Sequence, residues 1–236
     1  DEVIAECAAK TLLAAKPISD IRGSSSYRRR MVEVTTRRAL RSLAQKEEHT
    51  GFPARPVLLR TDSNGRRAKL ANTILHDAHE PIVTTINGKP FSFPSGQNKS
   101  LLRLLREDAQ LIGTKEGCAE GECGACTIFL DGVAVMSCMV PAARAHGANI
   151  VTIEGIATDG ELHPVQQAFV DLGAVQCGYC TPGFIMSAAK LLEEKPSPSR
   201  SEIQQALTGN LCRCTGYFSI IQAVEQAALM GAGSKK

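Results

Sequence analysis

The apolar positions of this 236-residue chain change rhythm near residue 81 and again near residue 155. Before the first change the pattern predicts two helices, from Val3 to Ala15 and from Tyr27 to Glu48, separated by Lys16-Pro17-Ile18-Ser19-Asp20-Ile21-Arg22-Gly23 and three serines. Residues 49–80 have no such rhythm. Gly51, Pro53, Pro56 and Asn64-Gly65 mark them as a linker. From Pro81 the spacing shortens to that of strands. Ile82–Ile86, the turn Asn87-Gly88 and Pro90–Phe93 read as a hairpin, and Thr127–Leu130, Asp131-Gly132 and Val133–Met136 as a second. An amphipathic helix from Lys99 to Asp108 lies between them, and Ile150–Ile153 supplies a fifth strand. Hairpin, helix, hairpin, strand is the order of a small β-grasp domain. After Gly155 the helical rhythm returns, with helices expected at Pro164–Leu172, Pro182–Glu194, Ser201–Thr208 and Phe218–Met230. Pro182 suits a first helical turn and Ser201 suits a cap.

The expected fold class is therefore α+β: a helical segment (1–48), a linker (49–80), a β-grasp domain (81–155) and an all-α four-helix domain (156–236). A hydrophobic content of 43% supports packed cores. No apolar run reaches the roughly 18–20 residues that a membrane span needs. The 27 Lys/Arg against 24 Asp/Glu leave a net charge of +3, with the positive excess in the first eighty residues. That excess is too small for nucleic acid, and 4% aromatics offers few stacking platforms. His49, His76, His79, His146 and His163 show no metal spacing, and no residue reads as a general base or nucleophile.

Chemistry enters with the cysteines. Cys7 stands apart, and the other eight form two groups of four, Cys118, Cys123, Cys126, Cys138 and Cys177, Cys180, Cys212, Cys214. An odd total does not suit a disulfide framework, whereas two quartets suit metal sites in a reducing, cytoplasmic setting. The first group has the x4, x2 spacing of a plant-type [2Fe–2S] loop. Three thiolates must converge within nine residues, so Gly117, Gly121 and Gly124 are expected to supply positive φ angles, turning backbone N–H groups toward the cluster sulfurs. Zinc is a poor rival here, because it usually takes two short Cys-x2-Cys knuckles. For the second group, Cys-x2-Cys and Cys-x-Cys at helix ends, spacing alone leaves both zinc and a redox dithiol open.

The residues around these cysteines carry a resemblance. Glu116-Gly117-Cys118-Ala119-Glu120-Gly121-Glu122-Cys123-Gly124-Ala125-Cys126, Gln176-Cys177-Gly178-Tyr179-Cys180-Thr181-Pro182-Gly183 and Asn210-Leu211-Cys212-Arg213-Cys214-Thr215-Gly216-Tyr217 resemble the iron–sulfur subunit of the xanthine oxidase family of molybdenum hydroxylases. The resemblance spans residues 82 to about 230 and implies an oxidoreductase subunit carrying two [2Fe–2S] clusters, one per quartet. It implies a higher-order heteromer with a molybdopterin-binding large subunit and an FAD-binding subunit. It also implies that Gln176 and Cys214 meet the pterin; on chemistry alone Gln176 is a helix-end amide capping backbone. Ile18–Arg30 resembles the C-terminal end of the family's FAD-binding subunit, and the start at Asp1 within a helical pattern predicts a fragment or a processed product. Two readings compete with that of a subunit. One is a free-standing two-cluster carrier; the other is a zinc-stapled interaction module. The substrate pocket is expected on another chain.

Overall fold

The computed structural model of the chain describes residues 2–21, 23–50, 53, 56–60, 76–77, 79–157 and 160–233. Of the expected linker, residues 51–52, 54–55, 61–75 and 78 lie outside them. The chain forms two compact units, Asp1–Arg55 and Pro56–Lys236.

The first unit is a pair of packed helices, α1 (Glu2–Ala14) and α2 (Ser25–Ala44). Ser24 caps α2 by accepting from the Tyr27 N–H. Arg28 ties the connecting segment to α2, donating to the Ile18 carbonyl at 2.8 Å and to Asp20 at 2.5 Å. Among its described residues only Ala8 is buried. Val3, Leu13, Ile18, Ile21, Tyr27 and Leu43 are exposed.

The second unit holds a five-stranded sheet and the helical bundle. The strands are β1 (Ile82–Ile86), β2 (Lys89–Phe93), β3 (Thr127–Leu130), β4 (Val133–Met136) and β5 (Asn149–Val151), ordered β2-β1-β5-β3-β4. β1 pairs antiparallel with β2 and parallel with β5, and β3 lies antiparallel between β5 and β4. Both hairpin turns have two successive positive φ angles, at Asn87 and Gly88 and at Asp131 and Gly132, which matches the right-handed twist of the strands they join. The expected helix begins as α3 (Leu101–Arg103) and widens into one π turn (Leu104–Asp108), where the Ala109 N–H reaches back to the Leu104 carbonyl. Leu101, Leu104 and Leu105 are fully buried against Ile82, Ile86, Ile128 and Ile150.

Four helices follow: α4 (Pro164–Asp171), α5 (Thr181–Glu194), α6 (Arg200–Ala206) and α7 (Phe218–Gly233). Val165, Phe169, Phe184, Leu191, Ile203, Ile220 and Val224 form their shared core. His163 caps α4: it accepts from the Val165 N–H while Gln166 accepts from the His163 N–H. The cap of α6 is Ser199 rather than Ser201, because Ser199 and Glu202 form a reciprocal capping box. Lys195 contacts the Glu202 carboxylate, and with the Ser199 N–H and hydroxyl it holds that carboxyl down at about 2.

A carboxyl held below its ordinary value stabilises the fold above that value and loses its effect as pH falls toward the depressed one. Acid titration should therefore show stability draining away between the ordinary 4.5 and about 2. Glu202→Gln, which keeps the capping geometry, should flatten that slope, and Glu202→Ala should cost about 1 kcal/mol at neutral pH by denaturant unfolding. An identical acid slope in the Gln variant would assign the effect to another carboxylate.

Candidate metal centres

The first quartet is gathered by the loop between the π turn and β3. Gly121 and Gly124 have φ of +75° and +68°, as the wrapped loop requires. Gly117 does not share that conformation. Its need is for space, because a Cβ there would stand 2.7 Å from the Cys123 sulfur. Ala119 takes a positive φ of 56° in its place. The wrapped backbone aims N–H groups at sulfur as expected: Glu120 and Glu122 each donate to Cys118 Sγ at 3.3 Å, and Cys118 to Cys123 Sγ at 3.4 Å. Cys138 arrives on a short 3-10 turn (Ser137–Met139) directly after β4, where the Ser137 N–H and hydroxyl both bond the Cys126 carbonyl.

The second quartet closes one end of the bundle. Cys177 and Cys180 precede α5, and Cys212 and Cys214 lie between α6 and α7. Thr215 donates to Cys212 Sγ through its N–H (3.4 Å) and its hydroxyl (3.1 Å), and that hydroxyl also accepts from the Tyr217 N–H. The Tyr217 phenol in turn accepts from the Cys212 N–H.

Thiol acidity divides in the same way in both quartets. Burial pushes the Cys118 thiol up, but the backbone donors outweigh it and bring it down to about 7. Burial likewise raises Cys212, and the Thr215 hydroxyl and N–H bring it down to about 7. Burial pushes Cys126 and Cys180 up to about 12. Contact with Cys177 raises Cys214.

The eight cysteines stand in close pairs: Cys118 with Cys123, Cys126 with Cys138, Cys180 with Cys212, and Cys177 with Cys214 (3.7 Å between sulfurs). Among the described residues no three His, Cys, Asp or Glu groups converge on one point as a single ion would require. Two pairs per quartet fit a [2Fe–2S] cluster, in which each iron takes two thiolates, better than the tetrahedral convergence of zinc.

The quartets are joined by contacts absent from any spacing argument. The Leu211 N–H donates to the Cys123 carbonyl at 3.0 Å, the Asn210 amide to the Gly124 carbonyl at 3.1 Å, and the Tyr179 phenol to the Glu116 carbonyl at 2.5 Å. Asn210, Leu211 and Tyr179 sit inside the quoted motifs beside cysteines, which is the one sequence signal that marks them. Gln176 is exposed and makes no hydrogen bond among the described residues, so the capping reading finds no partner there.

The match to a family model described as a 2Fe-2S iron-sulfur cluster binding domain covers residues 84–148, and that to one described as a [2Fe-2S] binding domain covers residues 152–225. The chain is 51% identical over 146 residues to the nicotinate dehydrogenase small FeS subunit of Eubacterium barkeri, covering 62% of this chain and 93% of that one. The chain belongs to the iron–sulfur subunits of the xanthine oxidase family. A second such subunit, the xanthine dehydrogenase iron-sulfur-binding subunit of Escherichia coli O157:H7, is 49% identical over 152 residues, covering 63% and 94% of the two chains. Quinoline 2-oxidoreductase from Pseudomonas putida 86 superposes with a TM-score of 0.63 at 41% identity, covering 68% of this chain and all of the matched one. The aldehyde oxidoreductase of Desulfovibrio desulfuricans gives 0.63 at 42% identity, with this chain spanning 66% of itself and 18% of that enzyme. As in its relatives, the subunit has two [2Fe–2S] binding domains in an oxidoreductase complex, and its role there is electron transfer.

The seam between the quartets rests on a backbone contact with no room for a side chain. A Cβ on Gly183 would lie 2.1 Å from the Gly124 carbonyl oxygen and 3.0 Å from Ala125 Cα. Gly183→Ala should therefore cost about 1–3 kcal/mol, and Asn210→Ala about 1 kcal/mol for its buried hydrogen bond. Thermal unfolding followed by circular dichroism reads both, and an unchanged midpoint for Gly183→Ala would disprove the close approach.

Proposed function

We propose that Cys118, Cys123, Cys126 and Cys138 hold one [2Fe–2S] cluster, that Cys177, Cys180, Cys212 and Cys214 hold the other, and that the chain links a molybdopterin-binding large subunit to an FAD-binding subunit. When bound, each cluster takes up and releases one electron at a time. The chain's own residues supply ligation, donors to sulfur and a fixed separation between the quartets. The observation that carries the reading is the bond from the Leu211 N–H, next to Cys212, to the carbonyl of Cys123. One backbone hydrogen bond thus connects the two ligand sets.

The two quartets differ in what they show to the outside. Cys177 and Cys214 are exposed, as are Gln176, Tyr179 and Leu211 around them. That patch suits coverage by the large subunit, with Gln176 offering an amide donor and acceptor to a pterin edge and Cys214 beside it. The exposed Tyr179 and Leu211 and the Gln176 amide, with the exposed Arg213 beside them, favour this reading over a free-standing carrier. No described helix is long and apolar enough to cross a membrane. The relatives named above belong to a nicotinate dehydrogenase, a xanthine dehydrogenase, a quinoline 2-oxidoreductase and an aldehyde oxidoreductase, and in this reading the substrate of the complex is set by residues on another chain.

The N-terminal unit, outside the residues that the two family models match, is assigned to the flavin side. Among its described residues only Ala8 is buried, while Val3 and Leu13 on α1 and Ile18 and Ile21 in the connecting segment are exposed, so the apolar surface of this unit calls for a second chain.

Purified protein should contain about four iron per chain and give two distinct reduced EPR signals. Cys214→Ser should remove or shift one signal and leave the other. Zinc in place of iron would end the proposal for the affected quartet, and loss of both signals in a folded variant would end the independence of the two. Deleting residues 1–48 should leave the iron content unchanged and lower the yield of co-purified flavin chain. Retention of that chain at full stoichiometry would make the N-terminal unit a mere appendage.

A further inference from the structure

Residues 56–60 fall in the stretch whose composition reads as a linker, yet three of their N–H groups and one carbonyl bond to the second unit. The Leu59 carbonyl accepts from the Ala134 N–H at 3.0 Å, on the outer edge of β4, the last strand of the sheet. The N–H groups of Leu58 and Arg60 donate to the two carboxylate oxygens of Glu194, at 3.0 and 3.1 Å. Glu194 is the last residue of α5. The Val57 N–H reaches the side-chain oxygen of Gln205 on α6 at 3.4 Å. Val57 and Leu59 pack on the helical core while Leu58 stays exposed, an in-out-in pattern.

The backbone shape has a physical reason. Leu59 has a φ of +54°, which a branched side chain rarely adopts. A left-handed residue between two others turns the flanking N–H groups toward one side, forming a concave nest for an anion. Here the anion is the Glu194 carboxylate, accepting the N–H before Leu59 and the N–H after it. An unfavourable φ persists where surrounding contacts over-determine it, and this one is held from both sides.

We propose that Val57–Arg60 is an interdomain staple: a backbone nest clasps Glu194 of the helical bundle while the Leu59 carbonyl caps the open edge of β4. A segment of four residues thereby bonds to both cluster-bearing parts of the second unit. Edge strands left bare recruit other chains, and this edge is occupied by the chain's own extension. The groove formed by the β4 edge, Glu194 and Gln205 is thus a receptor for an extended segment with alternating apolar side chains, and its occupant is residues 57–60. None of this depends on which metal the cysteines hold.

Amide hydrogen exchange on the full-length protein, resolved to single residues, tests the staple. The Leu58, Arg60 and Ala134 amides should exchange well below the rate of an unstructured chain in the unaltered protein. Glu194→Ala should speed all three by about tenfold or more, because two charge-assisted bonds are lost and the carbonyl of Leu59 leaves with them. Glu194→Gln, which keeps an acceptor oxygen, should fall between. Glu161→Ala, a change away from the nest, should leave all three amides unchanged. Visible absorbance should be the same in every variant. Free exchange of Leu58 and Arg60 in the unaltered protein overturns the proposal, whether or not any variant folds. So does Glu194→Ala leaving all three amides as protected as before.

Discussion

The carbonyl of Gly124 sits where the two halves of the second unit touch, and it is crowded. It accepts from the Thr127 N–H (3.1 Å), the Thr127 hydroxyl (2.7 Å) and the Asn210 side-chain amide (3.1 Å), while Gly183 of α5 lies against it with no space for a Cβ. Gly124 lies between Cys123 and Cys126, Asn210 two residues before Cys212, and Gly183 three residues after Cys180. Each partner is therefore only a few bonds from a thiol. Because the start of α5 rests on the first cysteine loop, the position of one quartet determines that of the other. A side chain at either glycine would force the loops apart and break the Leu211–Cys123 bond as well. Buried polar groups in such a junction must be satisfied together or not at all.

The thiol acidities follow from the same packing. In each quartet one member lies where backbone or hydroxyl donors favour the thiolate, Cys118 and Cys212, and another is buried deeply enough to disfavour charge, Cys126 and Cys180. The member with those donors is held toward the thiolate by the fold alone. The member whose thiol is pushed up would need the positive charge of a bound cluster to become a thiolate, so at the proposed sites cluster binding and proton release would be coupled there.

Much of this was legible from residue order. Asn87-Gly88 and Asp131-Gly132 named both hairpins, because only a few residue types tolerate two successive positive φ angles. The cysteine loop was legible for a related reason, since three thiols within nine residues leave the backbone little choice. What escaped was either subtle in local geometry or distant in sequence. The π turn at Leu104–Asp108 has the same apolar spacing as an ordinary helical turn. Ser199 and Ser201 both look like caps, and only the position of Glu202 decides between them. Gly117 carries the same letter as Gly121, but its role is room for Cys123 rather than a turn. The Tyr179–Glu116 and Asn210–Gly124 bonds join residues 63 and 86 positions apart, a range over which periodicity carries no information.

The two units differ most in where their stability comes from. The second unit closes on itself: its apolar side chains form two buried clusters, and its exposed sheet edge is met by residues from the same chain. The first unit has well-made local structure, with a capped helix and an arginine bonded across the connecting segment, but local hydrogen bonds stabilise a helix pair only modestly when apolar faces stay in water. Helix capping contributes about 1 kcal/mol, whereas covering one large apolar side chain contributes roughly 1.5–3 kcal/mol. The several exposed apolar residues on α1, α2 and their connection thus hold more unrealised stabilisation than all of the local bonds supply. In the function proposed above, a partner chain covers that surface. The same arithmetic explains why Val57 and Leu59, only a few residues further on, are drawn onto the helical core and leave the linker composition around them misleading.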